Sequence, residues 1–545
     1  MPLTPNGKID RTKLPFPDTY EVSQDKRATP ARNPVEAKLA DIWSHLLGLP
    51  SVDVFDNFFD LGGHSILATR LIFQLRQEFR IDLPLNTLFD NPTVATMAQA
   101  ITVQIGDSGL VHQGNAQITP APEKALDLTA EVVLAPEITG SGKVFKFVVP
   151  SSTILLTGAT GFLGAFLLQG LLKKYPSAKI HCLVRADTAE AGRERLKTNL
   201  VNHHIWDEAF ASRIVPVLGD LGKPQLGLST ADFAKLAQQV ESIVHNGATV
   251  HWVYPYLKLK ATNVDSTKEL LRLSAMAPKL IPVHFVSSTS VFDSEYYMNS
   301  GENKVNESDT LEGGKGLTVG YGQSKWVSEK ILLEAKSRGI PITITRPGYV
   351  VGHSRSGVTN ADDFLWRLIK GCLQLGSVPI MRNKINMCPV DYVADLIIHI
   401  TSKEDCLGKC FHTVSATTFR FDTYFQLLMD FGYNLSPIDY MKWRQDLMDL
   451  TLSTADNALY PLLHFVLDDL PTKSKSPDLD ASNAEAAIAD STIRCAPMQE
   501  VMGIYVSYLV QSGFLPAPGN PSPRRQLPKL DIDAKILTRS DRGSN

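Results

Sequence analysis

The sequence predicts an α/β protein with a doubly wound parallel sheet, preceded by a small helical bundle and followed by a smaller, mainly helical C-terminal lobe. Short apolar runs such as TILLT, KIHCLV and SIVH alternate with amphipathic stretches between about residues 150 and 350. Continuous apolar runs of this kind are typical of strands that helices bury on both faces. The flanking regions 33–105 and 351–515 instead carry apolar residues at helical spacing.

Composition excludes several classes of protein. The chain has 545 residues, a formal net charge of −3, 43% hydrophobic residues and 20% charged residues, which is ordinary for a soluble protein of roughly three to four domains. The chain lacks the excess of basic residues that is typical of nucleic-acid-binding proteins. No apolar run is long enough for a membrane span, and the polar start MPLTPNGKIDRTKLP has no signal-peptide pattern. Six cysteines without a paired framework favour a reducing compartment, and Cys406 and Cys410 lack the second pair that a zinc site needs. We therefore expect a cytoplasmic protein without a metal.

Four regions follow one another along the chain. Residues 1–32, rich in Pro, Asn, Gly and Lys, are predicted to form turns and a linker. Residues 33–105 are the helical unit, and residues 106–125, rich in Gly, Gln, Asn and Pro, are a second linker. Residues 126–545 make up the α/β unit, which ends in a Pro-rich tail after residue 515.

A glycine-rich turn is the strongest single motif. The segment TGATGFLG places three glycines between an apolar strand and a helix. Such a turn lets a pyrophosphate approach the backbone, and the helix N-terminus offers it free N–H groups. The motif predicts a Rossmann-type dinucleotide site, although it is one residue wider than the usual fingerprint and tight packing is the alternative. The residues predicted to contact the dinucleotide here are Thr157, Gly158, Thr160, Gly161, Phe162, Leu163 and Gly164.

The end of the next strand distinguishes NADP from NAD. An NAD site places an acidic residue there for the ribose 2′-hydroxyl. This strand ends in CLVRA, with Arg185 and no acid, and Arg195 follows on the next predicted helix. Because a guanidinium can bind a 2′-phosphate through two hydrogen bonds, the sequence favours NADPH. The alternative for both arginines is a solvated surface position.

Tyr321 and Lys325 form the pattern Y-x-x-x-K in GYGQSKW, so they share one face of a helix. A neighbouring ammonium favours the phenolate, so we expect Lys325 to lower the pKa of Tyr321. Upstream, FVSSTSVF ends a strand with a cluster of hydroxyl groups that can bind a carbonyl oxygen. Together with a nicotinamide, these groups predict a site for carbonyl reduction.

The glycine turn, GDL, HNGA, the hydroxyl-bearing strand, Y-x-x-x-K and RPGYVVG occur in the order that resembles the extended short-chain dehydrogenases/reductases. The resemblance covers about residues 125–510 and implies a catalytic triad of Ser288, Tyr321 and Lys325, with Thr289 as an alternative hydroxyl. It also implies dinucleotide contacts near the adenine, the ribose and the nicotinamide, at Asp220, Leu221, Asn246, Gly247, Ala248, Pro347, Gly348, Tyr349 and Val350. The alternative for Asp220 and Asn246 is a role in turns.

Ser65 lies in DNFFDLGGHSILATR, between two predicted helices. A nucleophile elbow requires a glycine where Leu67 stands, and a Walker loop requires a lysine that is absent here. A helix N-cap is the structural alternative. The segment resembles the phosphopantetheine attachment site of acyl- and peptidyl-carrier proteins, which implies a covalent 4′-phosphopantetheine on Ser65.

The segment PLTPNGKIDRTKLP, which contains Lys8, resembles the last motif of adenylation domains in carboxyl-activating enzymes; a simple turn is the alternative. An adenylation tail, a carrier and a reductase in this order resemble the fungal L-2-aminoadipate reductases of lysine biosynthesis. Terminal reductases of nonribosomal peptide synthetases and bacterial carboxylic acid reductases share that order.

The resemblance implies NADPH-dependent reduction of a carrier-bound aminoadipyl thioester to the free aldehyde. It also implies an upstream adenylation domain, a phosphopantetheinyl transferase that modifies Ser65, and docking of the carrier on the reductase. Two alternatives of other classes are a non-catalytic NADP-binding module and a sugar-nucleotide epimerase or dehydratase. The epimerase would have no use for a modified Ser65.

Overall fold

The chain forms two compact units, residues 1–117 and 118–545. The computed structural model describes residues 29–530 with the exception of 64, 82, 84–85, 108–125, 150, 252–253, 299–303, 418, 454–456, 460–462, 464–465, 467–476 and 521–522. The predicted adenylation-type segment with Lys8 and most of the predicted linker 106–125 lie outside the described residues.

Four helices are the main elements that the structure describes in the first unit. Its helices are α1 (Pro34–Leu47), α2 (Ser65–Phe79), α3 (Asn86–Asp90) and α4 (Val94–Asp107). The Asn33 side chain caps α1 by accepting a hydrogen bond from the backbone N–H of Glu36, and Gly48 ends the helix with a φ of 68°. Trp43 and Phe58 pack edge to face in the core, with ring centroids 5.0 Å apart. The predicted helical bundle is confirmed.

The α/β part of the second unit alternates strands with one or two helices. The strands up to residue 347 are β1 (Thr153–Thr157), β2 (Lys179–Val184), β3 (Ile214–Leu218), β4 (Ser242–His245), β5 (Val283–Val286) and β6 (Ile342–Pro347). The helices are α5 (Phe162–Lys174), α6 (Ala189–Asn202), α7 (Thr230–Gln239), α8 (Tyr256–Lys260), α9 (Ser266–Met276), α10 (Glu295–Met298) and α11 (Gly320–Ser337). A π-helical turn, Ala261–Asp265, joins α8 to α9.

The rest of the second unit is mostly helical with short strands. Its elements are β7 (Tyr349–Val351), α12 (Phe364–Leu375), β8 (Ser377–Pro379), β9 (Lys384–Ile385), β10 (Met387–Pro389), α13 (Val390–Thr401), β11 (Cys410–Thr413), β12 (Phe419–Arg420), α14 (Phe421–Asp430), β13 (Ser436–Ile438), α15 (Tyr440–Ser453), α16 (Ser482–Ala487) and α17 (Met498–Gln511). The short strands pair as β7–β10, β9–β12 and β8–β13.

Seven parallel strands form the main sheet in the order β11-β6-β5-β4-β1-β2-β3. One group of contacting helices consists of α5, α6 and α13, and the other of α7, α8, α9 and α11, as a doubly wound sheet requires. The predicted α/β fold is confirmed. The region after residue 350 also contributes β11 to the main sheet and α13 to the helices that cover it. The sequence did not predict β11, because the four-residue run CFHT is too short to stand out in a helical context.

The strand order reverses between β1 and β4. From β1 the chain proceeds outward to β2 and β3, and it then returns to place β4 on the other side of β1. Open α/β sheets bind ligands in the crevice beyond the carboxyl ends of the strands at such a reversal. The glycine turn follows β1 and the HNGA segment follows β4, so both lie at this point.

Candidate active site

The turn after β1 requires glycine at two positions for different reasons. Gly158 has a φ of 72°, and a Cβ on it would lie 2.7 Å from the Cα of Gly247. A Cβ on Gly164 would lie only 1.9 Å from the carbonyl oxygen of Gly158, because α5 packs directly against the turn. Gly161 has no such clash, since its Cβ would meet the nearest heavy atom at 3.4 Å.

The N-terminus of α5 is open to an anion. Gly161 is its N-cap and provides no side-chain hydrogen bond to the first N–H groups, and Thr160 and Gly161 are exposed. These unpaired N–H groups and the positive end of the helix dipole fit a pyrophosphate. The side chain of Asn199 on α6 stabilises the turn by donating to the carbonyl oxygens of Ala159 (3.0 Å) and Gly161 (3.2 Å).

The ends of β1 and β4 are joined by a buried hydrogen-bond chain. The Thr157 hydroxyl accepts from the backbone N–H of Gly247 at 2.8 Å and lies 2.8 Å from Nδ1 of His245. Burial and then the charge of Lys325 lower the pKa of His245 to about 3, so this histidine is neutral. These contacts hold the Asn246–Ala248 segment beside the glycine turn, as expected if both segments contact one bound dinucleotide. A Cβ on Gly247 would also meet Leu221, at 2.5 Å, so Leu221 adjoins the same crevice.

The two predicted NADP arginines lie together. Arg185 follows β2 and is exposed, and the guanidinium of Arg195 on α6 donates to the backbone carbonyl of Arg185. The Arg195 guanidinium and the Arg185 backbone therefore lie together beyond the carboxyl end of the strand next to β1, a position that fits the predicted 2′-phosphate contact. The Oδ1 of Asp220 accepts from the N–H of Gly222 at 2.9 Å, which is the turn contact given as the alternative, and its contact near the adenine stays a prediction.

Ser288 and Tyr321 meet through their side chains. Ser288 begins a short 3-10 turn after β5, and its hydroxyl accepts from the N–H of Ser290 at 3.2 Å. Burial raises the pKa of Tyr321 above its usual value, and a hydrogen bond with Ser288 partly opposes that rise. The contact supports Ser288 rather than Thr289 as the partner of Tyr321.

Lys325 lies one helical turn after Tyr321 and is buried. Its Nζ donates to the carbonyl oxygen of Val286 at 2.7 Å and lies 4.5 Å from the ring centroid of Phe285. Burial lowers the pKa of Lys325 to about 7, and the negative charge of Glu329 opposes the fall. Burial raises the pKa of Tyr321 on balance, so the net lowering expected from Lys325 is not what this chain shows.

Helix α11, which carries Tyr321 and Lys325, is linked by Asn263 to the crevice predicted to bind the dinucleotide. Its Nδ2 donates to the Ser324 hydroxyl (2.9 Å) and to the Thr249 carbonyl (3.1 Å), and its Oδ1 accepts from the Thr249 N–H (2.7 Å). The hydroxyl of Ser328, also on α11, donates to the Asn263 carbonyl at 2.9 Å. The π-helical turn that contains Asn263 therefore links the segment after β4 to the helix of Tyr321 and Lys325.

A buried ion pair between Arg346 and Glu329 joins α11 to the neighbouring strand β6. Arg346 on β6 donates to Glu329 through Nε (2.9 Å) and Nη2 (2.7 Å), and both side chains are 0% exposed. Nη1 of Arg346 donates to the carbonyl oxygen of Glu307 at 3.2 Å. Because Glu329 is four residues after Lys325, the ion pair places a fixed negative charge one turn from the predicted catalytic lysine.

The segment predicted beside the nicotinamide, Pro347–Val350, spans the end of β6 and the start of β7. The N–H of Tyr349 donates to the carbonyl oxygen of Asn386 at 2.9 Å, and its hydroxyl donates to Asp363. Burial raises the pKa of Asp363 to about 6. A Cβ on Gly348 would lie 2.9 Å from the Asn386 oxygen, so this bend adjoins the β10 region closely.

In the first unit, Ser65 is the first residue of α2. It follows Gly62, which has a φ of 95°, and Gly63, where a Cβ would lie 2.3 Å from the Phe58 ring. Helix α2 has 15 residues, so its N-terminus suits the phosphodiester of a phosphopantetheine arm. Among the residues that the structure describes, no group of His, Cys, Asp and Glu could hold a metal ion, and no helix is long and apolar enough to cross a membrane.

Two family models match the chain. The model described as male sterility protein covers residues 156–397, and the phosphopantetheine attachment site model covers residues 37–101, which include Ser65. L-2-aminoadipate reductase of Schizosaccharomyces pombe is 39% identical over 567 residues, which are 98% of this chain and 40% of that protein. L-2-aminoadipate reductase of Saccharomyces cerevisiae is 39% identical over 590 residues, which are 100% of this chain and 42% of that protein. The chain thus spans about two fifths of the length of these curated relatives.

A solved structure covers the α/β unit. The terminal R domain from the myxalamid PKS-NRPS biosynthetic pathway is 38% identical and superposes with a TM-score of 0.67, over 72% of this chain and 98% of that domain. This chain belongs to the same reductase family. A thiolation-reductase di-domain from an archaeal non-ribosomal peptide synthetase, 21% identical, shares the fold with a TM-score of 0.69 over 90% of this chain and 100% of its own. The predicted carrier-linked reductase is confirmed, with a phosphopantetheine attachment domain and a reductase domain that binds NAD(P).

Four polar residues that support the site of this reductase were not predicted. His245 is the first residue of HNGA, next to the predicted Asn246, and Arg346 is the first residue of RPGYVVG, so the motifs marked the positions of both residues but not their roles. Glu329 lies one helical turn beyond Lys325 and could have been noticed as a buried-face charge. Asn263 had no signal, because its partner Ser324 is 61 residues away in sequence.

We expect Gly164→Ala to destabilise the reductase unit by about 1–3 kcal/mol, because overpacking of this size forces backbone shifts. The added Cβ would lie 1.9 Å from the Gly158 carbonyl oxygen. Urea denaturation measures the loss. Gly161→Ala is the matched control, since its Cβ meets only an ordinary contact at 3.4 Å. Equal stabilities of the two variants would contradict the packing role of Gly164.

We expect Arg185→Ala combined with Arg195→Ala to raise the Kd for NADPH at least ~10-fold, equivalent to ~1.4 kcal/mol, and to leave the Kd for NADH unchanged. The reason is that only NADPH carries the 2′-phosphate that these guanidiniums are predicted to bind. Titration of both nucleotides by protein fluorescence measures the effect. Arg193→Ala, an exposed arginine on the same helix, is the control. A parallel loss for NADH would show that the arginines do not read the phosphate.

Proposed function

We propose that this chain uses NADPH to reduce an acyl thioester, carried on a phosphopantetheine arm at Ser65, to the free aldehyde, and that the acyl group is L-2-aminoadipyl. The observation that carries the reaction type is the hydrogen-bonded pair of Ser288 and Tyr321, one helical turn from the buried Lys325, at the carboxyl edge of the sheet. The 39% identity to L-2-aminoadipate reductases over nearly the whole chain supports the acyl group.

The residues of the site divide the chemistry between them. Bound NADPH supplies the hydride. Because the pKa of Tyr321 is raised, its phenol is neutral at physiological pH and can donate a proton to the carbonyl oxygen as negative charge develops there. The Ser288 hydroxyl lies beside the phenol and can donate a second hydrogen bond to the same oxygen.

Lys325 has a different role. With a pKa near 7 it is about half ammonium at neutral pH, so it can return a proton to the site and bind the ribose hydroxyls. The hydrogen bond to the Val286 carbonyl fixes the direction of its Nζ. Its placement is pre-organised by the contacts of α11, which limits the reorganisation that the reaction requires.

The carrier presents the substrate. Attachment to one chain raises the local concentration of the acyl group to roughly millimolar for a short flexible connection. We propose that an upstream adenylation domain activates the acid, that a phosphopantetheinyl transferase modifies Ser65, and that the carrier docks on the reductase. The described cysteines are all free, which supports a reducing compartment such as the cytoplasm.

A second candidate is the release of a different acyl group from a nonribosomal peptide synthetase. The 38% identity to a terminal R domain of a PKS-NRPS pathway supports it. The two candidates differ in the acyl group and share the chemistry of Tyr321. Single-turnover reactions of chains loaded with aminoadipyl or other acyl arms, followed by identification of the product, distinguish them.

We expect Ser65→Ala to abolish NADPH oxidation after incubation with aminoadipyl-coenzyme A and a phosphopantetheinyl transferase, because no arm can be attached. The same variant should still reduce a soluble aminoadipyl-pantetheine thioester, since the reductase site is unchanged. Mass spectrometry of the unaltered chain should map the added arm to Ser65. An unmodified Ser65, with full turnover of the variant, would contradict the carrier role and favour an epimerase-like enzyme.

A further inference from the structure

Two cysteines that the proposed reaction does not use lie side by side in the C-terminal lobe. Cys388 is on β10, and Cys495 lies between α16 and α17, 107 residues away in sequence. Their sulfur atoms are 4.0 Å apart, and the Cys495 thiol donates to the Cys388 sulfur. We propose that Cys388 and Cys495 form a reversible disulfide, which makes this thiol pair a two-electron oxidation site of the protein.

The geometry requires only a small movement to close the bond. A disulfide needs sulfur atoms about 2.05 Å apart. Cys388 is held firmly: its thiol donates to the Thr413 carbonyl (3.5 Å) and contacts Asn386 Oδ1 (3.7 Å), and its backbone lies in register with Val350 of β7. Cys495 lies in a segment without regular structure, where a side-chain rotation and a small backbone shift can bring its sulfur to Cys388.

The two thiols have different exposures and acidities. Cys388 is fully buried, and burial raises its pKa well above the ordinary value. Cys495 is only half-buried, and its contact with Cys388 lowers its pKa, because the Cys388 thiol can donate to the Cys495 sulfur once that sulfur is a thiolate. Cys495 is therefore the thiol that an oxidant reaches first as a thiolate, and Cys388 is the thiol that resolves the product.

Hydrogen peroxide is the oxidant of the proposed step. The Cys495 thiolate attacks one peroxide oxygen, the O–O bond breaks, and the departing hydroxide takes up a proton to leave as water. The Cys388 sulfur then attacks the Cys495 sulfur of the sulfenic acid, the S–O bond breaks and a second water leaves with the Cys388 proton. Two thiols are oxidised to one disulfide, and one peroxide is reduced to two waters.

The bond would join β10 to the segment that precedes α17. Because β10 pairs with β7, the cross-link would connect the last long helix of the lobe to the strand that carries the predicted nicotinamide segment. A cross-link that closes a loop of this length stabilises the folded state chiefly by constraining the unfolded chain, so we expect the melting temperature to rise by ~4 °C or more on oxidation.

The test uses the full chain, reduced and then treated with equimolar hydrogen peroxide before alkylation. We expect one cross-linked peptide pair containing Cys388 and Cys495, the loss of two free thiols, a mass lower by two hydrogens, and full reversal by dithiothreitol. Recovery of both cysteines as alkylated or as separately oxidised residues would overturn the proposal.

Two single variants complete the test. In Cys388→Ser the sulfenic acid on Cys495 should persist and react with dimedone. Cys406→Ser, which replaces another buried cysteine, is the matched control and should still form the disulfide. Retention of the two-hydrogen mass loss in Cys388→Ser would overturn the proposal. Neither residue belongs to the proposed catalytic machinery, so failure here would leave the NADPH and acyl-arm measurements unaffected.

Discussion

Replacing Tyr321 by phenylalanine should lower the single-turnover rate of thioester reduction by about 10²–10⁴-fold and leave the Kd for NADPH nearly unchanged. The substitution removes one hydroxyl from the hydrogen-bonded pair with Ser288 and keeps the ring that packs in the site. The expected loss follows from the missing proton donor, because the reduced carbonyl oxygen must then take its proton from elsewhere.

The raised pKa of Tyr321 determines how this loss should depend on pH. In the unaltered enzyme the phenol stays protonated through neutral and mildly alkaline pH, so its own titration should not limit the rate there. The Lys325 ammonium, with a pKa near 7, is lost as pH rises through neutrality, so the rate should fall on that side. The Tyr321→Phe variant should be slow both below and above the pH at which Lys325 loses its proton.

Stopped-flow absorbance of NADPH with an acyl-loaded chain measures both quantities. Tyr296→Phe is the matched control, since Tyr296 is 63% exposed on α10 and should tolerate loss of its hydroxyl. Full turnover by Tyr321→Phe, or an equal loss in Tyr296→Phe, would remove Tyr321 from the mechanism. Weak NADPH binding by Tyr321→Phe would instead assign the residue to cofactor binding.

Much of the fold could be predicted because its signals are local. Apolar strands, a glycine turn and amphipathic helices follow one another within short stretches, so the sheet and the position of Gly158, Gly161 and Gly164 were readable from the sequence. Strand β11 was missed because a four-residue run has no period of its own, and its place in the sheet depends on pairing with β6, which is distant in the chain.

The structure brings several of the predicted site residues together, but their electrostatics could not be predicted from the sequence. Tyr321 and Lys325 are related by helical spacing, but the direction of a pKa shift depends on burial, which spacing does not reveal. The supporting contacts of Asn263 and Arg346 likewise join residues from different elements. Such contacts form only when the fold brings the elements together.

The Arg346–Glu329 pair yields the largest expected effect on stability. We expect Arg346→Met to lower the free energy of unfolding by about 3–5 kcal/mol, because it leaves the Glu329 carboxylate buried without its partner. Urea denaturation at neutral pH measures the change. Arg272→Met, which removes a 36% exposed arginine that pairs with Glu269 on α9, is the matched control and should cost less.

The double variant Arg346→Met with Glu329→Met separates the two possible causes. If the destabilisation arises from an unpaired buried charge, removing both charges should restore most of the stability, whereas a general packing defect would persist. Glu329 also favours the ammonium of Lys325, so Glu329→Gln should lower the pKa of Lys325 further below 7 and shift the alkaline fall in turnover to lower pH. A pH profile of Glu329→Gln that coincides with that of the unaltered enzyme would show that the pair supports α11 mechanically and does not tune the lysine.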